Sequence, residues 1–306
     1  MKFLILLVII SSWSVAGTPT DAELLQYIKG RASLERVTPI AVSMTGVVTV
    51  RCGSTAILSL NAHENAEFHA FANTPAVLPL FDPWGKFPIG SLLLKENFMT
   101  HGESQFFTGM WKREEGYFPE LGDWEFFTVD GAGSKVLERG KLTSCATCHQ
   151  QMTKGDFVAR DYLIPAQITD GRIILHASKA KAHGEKLHYE DEQNKNTLGY
   201  WTNPADWIEW EFQVTRPGLL DIHLWQGCGT GCGGSEVEIV TAGQTAIFKV
   251  EETGHFQNFK ERVVGQVNFA ETGPQRLEVR VRKMAGPAVM DLRMIVLTPV
   301  ISAVGK

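Results

Sequence analysis

One short run of residues in this chain has the types and spacing that a covalently bound cofactor requires. Cys145 and Cys148 are separated by two residues, and His149 follows directly. In a Cys-x-x-Cys-His run the two thiols add to the vinyl groups of a haem, and the histidine becomes the proximal iron ligand. A structural zinc site would need a second ligand pair at similar spacing, which the sequence does not offer. We therefore predict one covalently attached haem c, held by Cys145, Cys148 and His149.

The N-terminus predicts the compartment in which such an attachment takes place. Lys2 precedes an apolar run at 3–10 that is too short to span a bilayer, and residues 14–16 are the small residues that signal peptidase needs. We expect residues 1–17 to be a signal peptide and the mature protein to be periplasmic or secreted, with no membrane span. The alternative is an uncleaved N-terminal anchor.

Three further cysteines need an explanation in an exported protein. Cys228 and Cys232 lie in a glycine-rich run, GCGTGCGGS, which is flexible enough to bring them together. A disulfide between them is one interpretation, and two free thiols are the other. Cys52 is left over, and we expect it to be buried.

Length and composition favour a globular protein of two domains. The chain has 306 residues, of which 44% are hydrophobic and 21% charged, so it is long enough to bury two cores. Its formal net charge of -5 gives no reason to expect nucleic acid or an anionic membrane as a partner.

The elements that must position the haem motif are mostly strands. A capping box at Thr20 and Glu23 begins a helix that runs to about Gly30. Residues 75–88 are rich in Pro, Trp and Gly and indicate a connection, and a helix is expected after the motif, within 140–160. We predict a domain over 18–164 of the α+β class, with an antiparallel sheet and a haem-bearing C-terminal helix. Its strands are expected at 47–51, 56–60, 67–72, 92–98, 106–113 and 124–129.

The pattern changes beyond about residue 164. Short alternating segments recur, separated by turns such as Arg216-Pro217-Gly218, and this spacing is typical of an all-β sandwich. The fold class is therefore mainly β, with a jelly-roll sandwich over 165–306 as the second domain. Its strands are predicted at 207–214, 218–225, 235–240, 245–250, 275–282 and 289–297.

Several motifs, in matching order and spacing between Leu24 and Leu163, resemble the cytochrome P460 family, which includes the cytochromes c'-beta. The resemblance implies a mainly β, often dimeric haem domain whose iron keeps an open site for small nitrogen compounds such as hydroxylamine or nitric oxide. The matching pieces are Phe87-Pro88-Ile89-Gly90-Ser91, Lys95-Glu96, Met110-Trp111-Lys112, Trp124-Glu125-Phe126-Phe127, Cys145 to His149 and Asp156-Phe157-Val158.

The same resemblance implies roles for three side chains. Lys95 is at the position of a lysine that is joined to the porphyrin edge in P460 enzymes, although a strand lysine is by default a solvated one. His69 takes the place of a distal arginine and is either a proton-transfer group or a core histidine. Lys112 is a possible distal or supporting group. Phe107 or Thr108 stands where the enzymes carry an acidic proton relay, which weakens the enzyme interpretation.

The second domain resembles galactose-binding-like sandwiches, in particular the family 6 type of carbohydrate-binding module. The residues that carry this resemblance include Gly199-Tyr200-Trp201 and Asp206-Trp207-Ile208. Tyr200 and Trp201 are the candidate platform for a sugar, although packing in the core is the other interpretation of such aromatic residues. A structural calcium ion is possible in this fold, with Glu185, Glu190 or Asp291 as donors.

Two classes of function follow. The first is a P460-type haem protein that binds or oxidises small nitrogen compounds and exchanges electrons with a redox partner protein. The second is an electron-transfer cytochrome, or a non-catalytic nitric oxide or redox sensor, that its sandwich domain attaches to polysaccharide.

Overall fold

The structure is a computed structural model that describes residues 19–44, 66–99 and 104–300 of the chain. Within these ranges, no helix has the length and apolar character needed to cross a membrane. The predicted signal peptide at 1–17, Cys52 and the strands predicted at 47–51 and 56–60 lie outside the described residues.

The first half of the chain forms an antiparallel sheet of seven strands. From β3 to β7 each strand pairs with the next along the chain, while β1 and β2 both pair with β3. The four strands predicted from the alternating pattern here, now β3 to β6, are confirmed within two residues at each end. The strands are β1 (Glu35–Arg36), β2 (Val42–Met44), β3 (Ala66–Ala72), β4 (Leu92–Met99), β5 (Ser104–Lys112), β6 (Trp124–Asp130) and β7 (Val136–Gly140).

The two faces of this sheet have different covers, because successive residues of a strand point to opposite sides. One face packs against helix α1 (Asp21–Lys29) and is called the α1 face; its buried residues include Phe71, Leu94, Phe107 and Phe127. The other packs against helix α2 (Thr74–Phe81) and the residues of the haem motif, and is called the motif face. Its buried residues include Phe68, Leu93, Met110, Trp124 and Phe126.

The helices follow from local signals of two kinds. The predicted capping box of α1 is present: the Thr20 hydroxyl accepts from the Glu23 amide, and the Glu23 carboxylate accepts from the Thr20 amide. The connection predicted for 75–88 was wrong over 75–81, because these residues belong to helix α2. Pro75 stands in its first turn, where the missing N–H would have no partner within the helix anyway.

The second half of the chain consists of two antiparallel sheets that face each other. The six-stranded sheet contains β8 (Ile173–His176), β10 (His188–Glu190), β11 (Thr197–Gly199), β13 (Gly218–Gly227), β16 (Lys260–Phe269) and β18 (Asp291–Pro299). The five-stranded sheet contains β9 (Lys181–His183), β12 (Trp207–Val214), β14 (Glu236–Thr241), β15 (Gln244–Lys249) and β17 (Gly273–Lys283). The molecule is therefore mainly β and contains the predicted sandwich.

The core of the sandwich lies between its two sheets. Trp201, Trp210 and Phe269 are almost fully buried in it, together with the inward residues of both sheets. The six strands predicted in this half are all present. Strand β16 was missed because half of its residues are exposed and only Val267 and Phe269 are buried, so the alternating signal is weak.

The two halves of the chain share one apolar cluster. Ile174 of β8 and Met294 and Val296 of β18 pack with the motif face and with α2, on the outer side of the six-stranded sheet. The inner sides of β8 and β18 belong to the sandwich core. Both strands are therefore covered on both faces, which explains why 173–175 is a continuous apolar run.

Candidate functional site

The haem motif lies on a short helix, α3 (Thr143–His149), and not in front of one. The predicted helix after the motif is wrong: the chain turns at Gln150 and continues without helix through 151–164. Cys145 and Cys148 are both thiols with partly exposed side chains, and Cys145 packs against the motif face of the sheet. The helix therefore presents the two cysteines at the edge of an apolar surface.

His149 has the hydrogen bond that a metal-binding histidine needs. Its Nδ1–H donates to the carbonyl oxygen of Phe157 at 2.7 Å, because a carbonyl can only accept. In the neutral ring this leaves the lone pair of Nε2 for a ligand. Burial lowers the pKa of His149, the nearby charge of Lys95 lowers it further, and the bond to Phe157 opposes both. The imidazole is thus held neutral and oriented.

The segment after α3 supplies that carbonyl, and Lys112 holds the segment in place. The Lys112 ammonium lies 2.6 Å from Asp156 Oδ2 and donates to the Gly122 carbonyl at 2.6 Å. With these contacts Lys112 is directed to the loop that contains Phe157. Its place in the structure is that of a supporting group on the His149 side.

Lys95 lies on the motif face, close to His149. Its Nζ is 4.2 Å from the centroid of the Phe68 ring, and the ring of Phe126 is 5.0 Å from that of His149. The side chain of Lys95 is half-buried. The haem motif and the resemblance together implied one region for Lys95, Cys145, Cys148 and His149. The structure brings these side chains to the same side of the sheet.

Thr128 and Tyr162 are two further polar groups of this region that the sequence did not single out. Lys95, Thr108 and Thr128 stand side by side on adjacent strands. Thr128 Oγ1 is buried and has no hydrogen-bond partner among the described residues. Tyr162 packs edge-on against Phe68, and burial raises its pKa to about 12. Only the strand register could have identified Thr128.

His69 lies outside this region, on the other face of the sheet, so the structure does not bring it to the distal position predicted for it. It lies one residue from Phe68 on β3 and therefore points to the α1 face, where its ring contacts Phe71 and Phe98. Burial lowers its pKa, and the charge of Arg36 adds to this effect. The ring is half-buried among these side chains, which fits a packing role for His69 better than a role beside His149.

The two residues of the predicted sugar platform have opposite surroundings. Trp201 is 1% exposed, and its indole N–H donates to the Asp206 carbonyl, so its ring packs inside the sandwich and cannot stack on a ligand. Tyr200 is 56% exposed, and its ring is parallel to that of His188 with the centroids 5.0 Å apart. Of the two residues predicted as a sugar platform, Tyr200 is at the surface and Trp201 is not.

The predicted calcium ion stays a prediction, and the three acidic donors named for it have different surroundings. In the part of the chain that the structure describes, no group of three or more His, Cys, Asp or Glu side chains could hold a metal ion. Glu190 pairs instead with the Lys195 ammonium at 2.7 Å. Burial, followed by the charge of Glu190, raises the pKa of Asp291 to about 7, so this carboxyl group is largely protonated in weak acid. Glu185 is exposed.

Cys228 and Cys232 are both buried free thiols, so the predicted disulfide is not formed in this structure. The amide of Cys228 donates to the Thr253 hydroxyl, and its thiol contacts the carbonyl oxygens of Gly229 and Val289. Burial raises the pKa of Cys228 to about 11, with a further contribution from Cys232. The structure therefore agrees with the other interpretation of this glycine-rich run, in which Cys228 and Cys232 are two free thiols.

Comparison with known proteins finds similarity only at the level of solved structures. No family model matches the chain, and no curated protein matches it. A family 6 carbohydrate-binding module from a laminarinase of Zobellia galactanivorans is 16% identical with a TM-score of 0.34, covering 42% of this chain and 98% of that one. A family 35 module from Clostridium thermocellum is 14% identical with a TM-score of 0.33, covering 42% and 98%. A family 35 module from Cellvibrio japonicus is 9% identical with a TM-score of 0.35, covering 42% and 94%.

Proposed function

We propose that this protein is an exported c-type cytochrome with a single haem attached through Cys145 and Cys148 and ligated by His149. The observation that carries the proposal is the bond from His149 Nδ1–H to the Phe157 carbonyl, which leaves Nε2 available to a metal. For a histidine that only packs in the core, there is no chemical reason for an Nδ1–H bond that leaves Nε2 unprotonated beside two cysteine thiols.

The surrounding residues fit such a group. The thiols of Cys145 and Cys148 are partly exposed on α3, and the aromatic residues Phe68 and Phe126 form an apolar wall on the motif face. Thr128 Oγ1 adds a buried hydroxyl without a partner among the described residues. When bound, a haem supplies an iron that exchanges electrons and binds small ligands. The chain contributes the attachment, the neutral imidazole and the apolar surroundings.

Covalent attachment is directly measurable. The full chain, produced together with a c-type haem maturation system, should retain one haem per chain after denaturation and extraction with acidified acetone. Its alkaline pyridine spectrum should be that of a haem with two thioether bonds. A wild-type protein that loses all its haem on extraction would contradict the proposal.

The finer proposal is a P460-type protein that binds or oxidises small nitrogen compounds, with Lys95 as the group that modifies or contacts the haem. It is supported by the position of the Lys95 ammonium on the motif face, close enough to His149 to lower the pKa of that ring. An ammonium there would contact the edge of a group ligated by His149. His69, on the opposite face, takes no part in it.

Visible spectra of the ferrous haem-loaded protein test the role of Lys95. We expect the Lys95→Ala variant to lose a red-shifted band that the wild type has, because that band requires a bond between the lysine and the porphyrin. Lys86→Ala, which removes an exposed lysine, is the matched control. If all three proteins have the same high-spin c-haem spectrum, there is no cross-link. Hydroxylamine turnover and nitric oxide titration then separate catalysis from gas binding.

A second candidate function is glycan binding by the sandwich half, which would attach the haem domain to polysaccharide. One observation favours it: the ring of Tyr200 is exposed and lies parallel to His188, which offers a flat aromatic surface. Affinity electrophoresis in gels that contain soluble polysaccharides tests it. Retardation of the wild type that Tyr200→Ala abolishes and Tyr27→Phe leaves unchanged would support this function. Equal mobility in all gels would remove it.

A further inference from the structure

Three consecutive residues after the haem motif have left-handed backbone conformations. Gly155, Asp156 and Phe157 have φ angles of 76°, 65° and 62°. Glycine adopts this conformation readily, but aspartate and especially phenylalanine do so only when their surroundings hold them there. The loop is therefore a shape that the rest of the molecule imposes, and it ends in the carbonyl that His149 contacts.

The contacts that impose this shape converge on Asp156. Its carboxylate Oδ2 lies 2.6 Å from the Lys112 ammonium and accepts from the Phe87 amide at 3.1 Å. Its backbone carbonyl accepts from the indole N–H of Trp124 at 2.8 Å. A Cβ atom on Gly122 would lie 2.7 Å from Asp156 Oδ1 and 2.9 Å from Phe157 Cδ2, so the loop is packed against that glycine.

The ion pair between Lys112 and Asp156 is well shielded from solvent. The two side chains are 12% and 5% exposed. A buried pair is not by itself a strong source of stability, because desolvation of both charges opposes their attraction. It does fix the geometry of the groups that it joins, and here these are a strand of the sheet and the loop beside His149.

We propose that Lys112 and Asp156 are positioning residues for His149: their ion pair holds the Phe157 carbonyl against His149 Nδ1 and so sets how strongly the imidazole donates to iron. This inference rests on the proposed c-type haem. A bond from Nδ1–H to a carbonyl makes the ring more basic, and a more basic ligand favours the oxidised metal. Loosening the loop therefore weakens the donation and makes the reduction potential more positive.

A charge-neutral double variant tests the proposal. Lys112→Met with Asp156→Asn removes both charges together, so no single buried charge is left behind. The matched control is Arg31→Met with Glu96→Gln, which removes another ion pair of the same half; Glu96 pairs with His69 across β3 and β4 and so faces away from His149. Each haem-loaded protein is compared with the wild type by covalent haem content, the iron–histidine stretching band of the ferrous resonance Raman spectrum, and the reduction potential.

We expect the test variant to show a lower stretching frequency and a more positive potential at full haem content, and the control to match the wild type in both. Lys112→Arg, which keeps the charge, should retain the wild-type band. An unchanged band and potential in the loaded test variant would overturn the proposal. If that variant does not load haem, Trp124→Phe, which removes the bond to the Asp156 carbonyl and leaves both charges in place, is judged by the same two measurements. A wild type without covalent haem would refute the proposed function instead.

Discussion

The two halves of the molecule each contain a pair of cysteines and a histidine whose pKa is lowered, but the surroundings of these groups differ. On the motif helix, Cys145 and Cys148 have partly exposed side chains, and His149 has an unprotonated Nε2. In the sandwich, Cys228 and Cys232 are buried. His176 on β8 accepts from the Ser178 amide through Nδ1, so its proton is on Nε2, which has no hydrogen-bond partner among the described residues.

The two sets of residues differ in their surroundings as well as in their spacing along the chain. Two residues separate the cysteines of one pair and three separate those of the other. Exposure and the direction of one hydrogen bond at each histidine distinguish the two sets. A thiol reacts as thiolate, which burial disfavours, and an imidazole binds a metal through a nitrogen without a proton. Of these two sets, only the one on the motif helix combines partly exposed thiols with an Nε2 that carries no proton.

The largest expected effect is on covalent haem. Cys145→Ala with Cys148→Ala should lose it completely, because no thioether bond can form. Cys228→Ala with Cys232→Ala should keep one haem per chain, since these thiols are sealed in the other half. Haem stoichiometry after acid–acetone extraction measures both. Retention in the first variant, or loss in the second, would remove the distinction between the pairs.

The next effect concerns the stability of the sandwich. Trp201→Ala should lower the free energy of unfolding by about 3 to 5 kcal/mol, because a fully buried ring leaves a cavity. Tyr200→Ala next to it should change the same free energy by no more than about 0.5 kcal/mol, since most of its ring is at the surface. Urea unfolding of both variants provides the measurement. Equal losses would mean that the exposed ring is held more firmly than its surroundings indicate.

A pH effect on stability is expected from His176. Burial lowers the pKa of His176 to about 4, although Asp82 opposes the shift from 3.9 Å. The unfolded chain protonates this histidine near pH 6.5, whereas the folded chain does so only near pH 4. The contribution of His176 to the free energy of unfolding is therefore complete above pH 6.5 and is lost as the pH drops toward 4. The loss at pH 4.5 is on the order of 2 to 3 kcal/mol. His176→Gln should lack this component, which urea unfolding at pH 7 and pH 4.5 would show. A variant with the same pH dependence as the wild type would assign the effect to other groups.

The smallest effect is on thiol reactivity. A rise of the Cys228 pKa from 9.0 to about 11 lowers the thiolate population ~100-fold, and burial restricts access further. In the haem-loaded protein with Cys52→Ser, a thiol reagent at pH 8 should therefore react at least ~100-fold more slowly in buffer than in concentrated urea. Fast reaction in buffer would contradict the buried state of the pair. No reaction in urea would show that the two cysteines are joined after all.

Local patterns in the sequence predicted most of the strands and the first helix. Alternation over 67–72 and 207–214 identified β3 and β12, and the residues of the capping box identified α1. Strand β16 and helix α2 were missed for opposite reasons. The exposed residues of β16 hide the two-residue alternation that identifies a strand. The prolines of α2 are residues that usually end a helix, but they stand at positions where this helix tolerates them.

The sequence by itself determined the chemistry that is possible, because the Cys-x-x-Cys-His run is local, and local alternation was enough to predict strands β3 to β6. Only the tertiary structure decided which side chains reach that run. Because side chains alternate along a strand, one position of register places Lys95 on the motif face and Glu96 on the α1 face, and it likewise separates Phe68 from His69. Lys112 and Asp156 meet across 44 positions of the chain, and no local pattern encodes such a contact. The type of each residue can be read directly from the sequence, whereas the residue that it contacts in the fold depends on distant parts of the chain.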